Sequence, residues 1–194
     1  MELSEALLQL KAWCDQSAGQ PIVMLPERTA VFESRSAHGE EAIREVEKRL
    51  ACSLPDSYRR FMATIGASSL FSWSPHGGGP RFYRPDEIRE ASLGAAVKRA
   101  DGGEDRFCFV GEHRLMGDFM GFLISRLGPK NFDVFCHEYP LDEYVAVSDE
   151  IKSWRTFEAW LIHQCKPEVM TRSESRSQGE FPCQHDNIHL FSSA

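Results

Sequence analysis

What this chain of 194 residues lacks narrows its function first. No run of eighteen apolar residues occurs, so no membrane-spanning helix is expected. The opening segment, Met1 to Trp13, places acid rather than base ahead of its apolar positions, and no small-residue cleavage site follows it. That pattern argues against a secretory signal and for a cytoplasmic protein. The cysteines (Cys14, Cys52, Cys108, Cys136, Cys165 and Cys183) form no C-x-x-C pair and no compact framework, so free thiols in a reducing compartment are expected. HExxH, GxSxG and dinucleotide-binding glycine patterns are missing as well. The glycine run in His76-Gly77-Gly78-Gly79-Pro80 lacks the Lys-Ser/Thr ending and the following helix of a phosphate cradle, and reads as a loop.

What is present is an ordinary globular composition, with 42% hydrophobic and 26% charged residues. The length suits one domain with extensions and a sizeable core. The net charge of −7 is unevenly placed: residues 101–150 hold 11 acidic and 4 basic side chains, and so account for the whole imbalance. Such a field repels nucleic acid and steers basic partners, although a merely solvated acidic face would have the same composition.

The most informative stretch runs from Ile43 to Gly66. Ile43, Val46 and Leu50 share one helical face, with charge on the other sides. Ser53 and Asp56 resemble a capping box around Pro55, and the next helix sets Tyr58, Phe61, Met62 and Ile65 on one stripe before Gly66 supplies a left-handed end. Before this pair, residues 3–14 read as a helix with Leu3, Leu7, Leu10 and Cys14 on one stripe, and 22–25 and 29–32 as short strands. After it, strands are expected at 68–74, 81–84, 107–110, 119–124, 131–136 and 144–147. Helices are expected from Pro85 toward Val97 and from a Ser153 cap through Trp154, Phe157, Trp160 and Leu161. Residues 111–118 read as a loop. Successive strands framed by helices give an α+β fold with a mainly antiparallel central sheet.

The residues Leu54-Pro55-x-x-Tyr58-x-x-Phe61 ending at Ile65-Gly66, then Phe109-Val110-Gly111 through Gly117-Asp118-Phe119, Phe132-Asp133-Val134 and the closing Phe157, Trp160 and Leu161, resemble the SUKH superfamily. That superfamily includes fungal cell-wall regulators and bacterial immunity proteins that neutralise polymorphic toxins. The resemblance implies a SUKH-like domain over 38–165, with an N-terminal extension of helix and short strands over 1–37 packed on it. Residues 166–194 are expected to be a flexible tail.

Constellations with chemical potential are few. Cys136-His137 is suggestive, yet neighbours on a strand point to opposite faces, so the two are expected to diverge and Cys136 to be core. Glu112, His113 and Asp118, placed near a loop, form a conceivable acid/base set that solvation explains equally. His163-x-Cys165, Cys183-x-His185 and His189 lack the spacing of common zinc sites. No catalytic residue, metal or cofactor is therefore assigned. The resemblance implies a non-enzymatic immunity protein, monomeric when free, that occludes a cognate toxin with a basic surface, a nuclease being one candidate, and binds neither nucleic acid nor membrane. Its contacts are expected to come from Glu104, Asp105, Glu112, Asp118, Asp133, Glu138, Asp142 and Glu143. A scaffold or regulatory module on the same fold, or a small hydrolase or metal-binding enzyme, are the alternatives.

Overall fold

Tyr58, Phe61 and Met62 recur at helical spacing and are wholly buried, and this stripe fixes where the helical layer meets the sheet. The computed structural model describes residues 1–75, 77–125 and 131–166. The expected tail from 167 onward, with Cys183, His185 and His189, lies outside the described residues, as does His76 of the glycine-rich loop.

The chain begins with α1 (Leu3–Ser17), β1 (Ile22–Leu25) and β2 (Arg28–Ser36), followed by the helical pair α2 (Glu40–Leu50) and α3 (Asp56–Thr64). Next come β3 (Ala67–Trp73), β4 (Pro80–Phe82), α4 (Pro85–Ser92), β5 (Ala96–Lys98), β6 (Glu104–His113), β7 (Asp118–Leu123) and β8 (Phe132–Phe135). Two helices close the described chain, α5 (Leu141–Ile151) and α6 (Phe157–Gln164). All strand pairings are antiparallel, in the order β1-β2-β3-β4-β6-β7-β8 with β5 on β6. The α+β architecture is as expected. No helix among the described residues is long and apolar enough to cross a membrane.

One face of the sheet carries the main core, in which α1, α3 and α6 pack over β2, β3 and the centre. Phe157 lies at its heart, with ring centroids of Tyr58, Phe61 and Phe132 5.2 to 5.5 Å away. α5 covers part of the other face, where Val145 and Tyr144 meet Phe107, Phe109, Leu123 and Phe135. β3 does not alternate as a regular strand would. The register slips between Val31/Ser72 and Glu33/Ser69, so Leu70 and Phe71 both oppose Phe32, and both enter the core. Phe71 takes φ +51° to do so. Gly79 lies against this bulge, where a Cβ would stand 2.4 Å from the Leu70 carbonyl oxygen.

Several local expectations are corrected. Residues 144–147 are helical, because Leu141, Tyr144, Val145 and Ser148 follow a helical period behind Pro140, with Asp142 and Glu143 in the first turn. The helix from Pro85 stops at Ser92, and residues 96–98 pair with β6 instead. Ser92 turns off because its hydroxyl is needed on the sheet: it accepts from Phe109 N–H at 2.9 Å in the gap between β4 and β5. Residues 111–113 extend β6 rather than forming a loop, so Glu112 and His113 are strand residues. The Ser53–Asp56 capping box does not form. Glu47 reaches over from α2 to take the Leu54 N–H at 2.6 Å and also binds Arg59, while Ser53 accepts from Arg59. Gly66 does adopt the left-handed conformation, at φ +77°. Ser153 does not cap α6; Thr156 accepts from Ala159 N–H at 2.9 Å, and Ser153 donates to Asp133.

Asp133 is 2% exposed. Burial raises its carboxyl above the ordinary 3.8, against the opposing pull of Ser153, the Val134 N–H and Arg155. A raised folded-state value favours the native state below 3.8, and that increment is lost as pH rises through the raised value. In melts followed across acid pH, Asp133→Asn is expected to gain on the parent protein as pH climbs from below 3.8 into the neutral range. Parallel curves would contradict it.

Candidate interaction surface

The sheet face that α5 only partly covers carries a continuous cross-strand row. Successive registers set Glu33 beside Ser69, Ser69 beside Arg81, Arg81 beside Glu112, Glu112 beside Phe119 and Phe119 beside Phe135. The middle of the row is internally bonded. Arg81 Nη1 donates to Glu112 Oε1 at 3.0 Å and its Nη2 to Glu87, and the guanidinium lies 5.1 Å from the Tyr83 ring centroid. Tyr83 donates its hydroxyl to Glu112 Oε2 at 2.9 Å, and burial together with that carboxylate pushes its phenol up. Glu112 is thus held on both oxygens. At the end of the row Phe119 is 37% exposed while its ring stacks on Phe109 at 4.8 Å. Its neighbour Phe135 disappears beneath Tyr144 of α5 at 5.2 Å.

The acidic residues singled out by sequence divide sharply. Asp105, Asp118 and Asp133 are each 2% exposed and serve the interior. Asp105 accepts from Ser125 Oγ at 3.1 Å and meets Arg99 at 3.4 Å, while Asp118 accepts from the His137 backbone at 3.1 Å. Asp133 is held by Ser153 and Arg155. Glu104 is exposed opposite Lys98 at the start of β6, at the far end of the sheet from His113. Glu138, Asp142 and Glu143 are exposed, on the turn and first helical turn where α5 begins. Asp149 and Glu150 are also exposed on α5, and sequence reasoning, which read 144–147 as a strand, did not single them out.

A second gathering was also missed. β8 ends at Phe135, so Cys136 and His137 leave the strand and converge instead of diverging, with His137 Nδ1 2.9 Å from Asp118 Oδ1. His113 stands across from Asp118 on β6, 9% exposed. Burial lowers its pKa against the pull of Asp118. His163 is exposed, whereas Cys165 is 1% exposed with its thiol pushed up to about 12 by burial, which makes it core rather than ligand. A shallow depression lined by Glu41, Arg44, Glu45 and Lys48 of α2 is a ring of solvated charges with no convergent chemistry.

Comparison with known families matches residues 39–163 to the SMI1 / KNR4 family (SUKH-1). Comparison with curated proteins and with solved structures returns no match. The matched span begins at the N-cap of α2 and closes within α6, leaving α1, β1 and β2 outside it. Those three elements nonetheless complete the core and one edge of the sheet.

Proposed function

The chain belongs to the SMI1 / KNR4 family (SUKH-1), and on that footing we propose that it is a non-enzymatic immunity protein. It binds the toxin domain of a cognate effector and occludes it. The observation that carries this reading is Phe119, a large ring left 37% exposed, stacked on Phe109 and paired across the sheet with the carboxylate-bearing Glu112. An aromatic anchor on a fixed sheet, rimmed by carboxylates, has the make-up of a binding hot spot with a polar rim. We assign the rim to the exposed Glu138, Asp142 and Glu143 at the entry to α5, with Glu104 at the start of β6. Asp105, Asp118 and Asp133 act behind it by holding the turns in place.

A rim of this sign selects a toxin with a basic surface, such as a nuclease, and speeds encounter before apolar contact sets the lifetime. The mechanism is steric: the toxin's substrate, nucleic acid in that case, is kept out by a folded protein presenting carboxylates where phosphates would lie. The immunity protein is a monomer when free and needs no cofactor.

Co-expression tests the reading. Cells producing the effector's toxic domain are expected to grow when the intact chain is present. Phe119→Ala is expected to weaken the complex by roughly 2 kcal/mol or more, about thirtyfold, while costing less than about 1 kcal/mol of stability. A Phe119→Ala chain that protects and binds like the parent would remove the anchor from the account.

A further inference from the structure

The ends of β7 and β8 bring three different ligand chemistries to one point. Asp118 opens β7 next to Phe119, and Cys136 and His137 follow directly on Phe135, the residue that pairs with Phe119. His137 then turns back across them, giving its backbone N–H to Asp118 Oδ1 at 3.1 Å and laying its ring Nδ1 2.9 Å from that oxygen. One carboxylate oxygen, one sulfur and one imidazole nitrogen from these residues lie within 4.8 Å of one another. Asp118 also borders a cavity of about 20 Å³, walled by Pro80, Met120, Val134 and Trp160 with His113 opposite.

We propose that Asp118, Cys136 and His137 bind one divalent transition-metal cation of the zinc class. Zinc takes sulfur, nitrogen and carboxylate oxygen at about 2.0 to 2.3 Å, so its tetrahedral ligands stand roughly 3.5 Å apart. The observed spread of 4.8 Å therefore has to tighten by only about 1 Å. His137 can supply that movement, because its side chain is 48% exposed while the Asp118 side chain is 3% exposed. Asp118 at the start of β7 and Cys136 just beyond β8 are both buried, and the third ligand closes over them from solvent. Sulfur in the set disfavours magnesium and calcium, which take oxygen ligands. Binding forms a metal–sulfur bond as the Cys136 thiol proton passes to solvent, and water completes the fourth position. The cation ties the start of β7 to the β8–α5 turn, which continues into Glu138. This site is independent of the toxin-binding reading.

The test is equilibrium dialysis of the full chain against zinc alone, with metal counted per protein, followed by cobalt(II) substitution. One equivalent is expected, released by a chelator. Cys136→Ser and His137→Ala are each expected to weaken zinc binding by at least about tenfold. The cobalt form should show a sulfur-to-metal charge-transfer band that Cys136→Ser abolishes. His137→Ala alters an exposed side chain, so it decides the matter should Cys136→Ser fail to fold. Absence of retained zinc would overturn the site. So would zinc binding that survives His137→Ala unchanged, or that is lost only when Cys183, His185 and His189 are replaced.

Discussion

Phe157→Ala is expected to cost about 3–5 kcal/mol, enough to leave much of the chain unfolded at growth temperature. The ring is 1% exposed and meets aromatic rings from α3, from three strands of the sheet and from its own helix. Tyr58 and Phe61 come from α3, Phe82 from β4, Phe122 from β7, Phe132 from β8 and Trp160 from its own helix, all with centroids between 5.2 and 6.3 Å. The edge-to-face pairs among them, with Tyr58, Phe61, Phe82 and Phe132, each add about 0.5–1.5 kcal/mol beyond the area that they bury. Deleting the ring also leaves a cavity that rigid strand residues on several sides are poorly placed to refill. Thermal unfolding should show a fall in Tm on the order of 10 °C, given about 2–4 °C per kcal/mol at this size. A loss below about 1 kcal/mol would mean that the helices pack less tightly on the sheet than described. The contrast with Phe119→Ala is the point of the pair: one ring holds the fold, and the other is left outside it.

Reversing charge at the start of α5 is expected to act on association and not on the fold. Asp142→Lys with Glu143→Lys alters the rim by four charge units at two exposed positions. Association with a basic toxin domain should slow by at least about tenfold at low salt, with the difference shrinking as salt shortens the reach of the field to below about 10 Å. Lysines in the first turn of a helix also oppose its dipole, at about 0.3–1 kcal/mol each, so the neutral pair Asp142→Asn with Glu143→Gln serves as the control. Its on-rate should lie between those of the parent and the reversed variant. An on-rate indifferent to all of these changes would remove electrostatic steering from the mechanism.

How much of this was legible beforehand depended on whether a pattern fixed one answer. The α3 stripe of Tyr58, Phe61 and Met62, bracketed by Pro55 and Gly66, allowed only one period, and the structure follows it. Tyr144–Val147 was misread because four apolar residues suit a strand or a helix, and what decided was Leu141 and Ser148 at either end. The bulges at Leu70–Phe71 and near Val110 leave no mark in composition, yet they reverse which residues face the core. The bulge near Val110 places Glu112 on the open face, where Phe119 already lies by the regular alternation of β7. Charge counting found the acidic block but had no means of telling Asp105, Asp118 and Asp133, spent inside on Ser125, His137 and Ser153, from Asp142 and Glu143 outside. The meeting of Asp118, Cys136 and His137 was missed for want of one residue: the strand was expected to run through Cys136, and it ends at Phe135.

The most direct test of the central claim is affinity capture of the tagged full chain from its native cells at low and high salt, read by mass spectrometry. The account predicts one large effector with a basic C-terminal domain, recovered best at low salt and depleted when Phe119→Ala or the charge-reversed chain is the bait. Recovery of several housekeeping, signalling or cell-wall proteins in its place, equally with all baits, would contradict the immunity reading and favour a scaffold on the same fold.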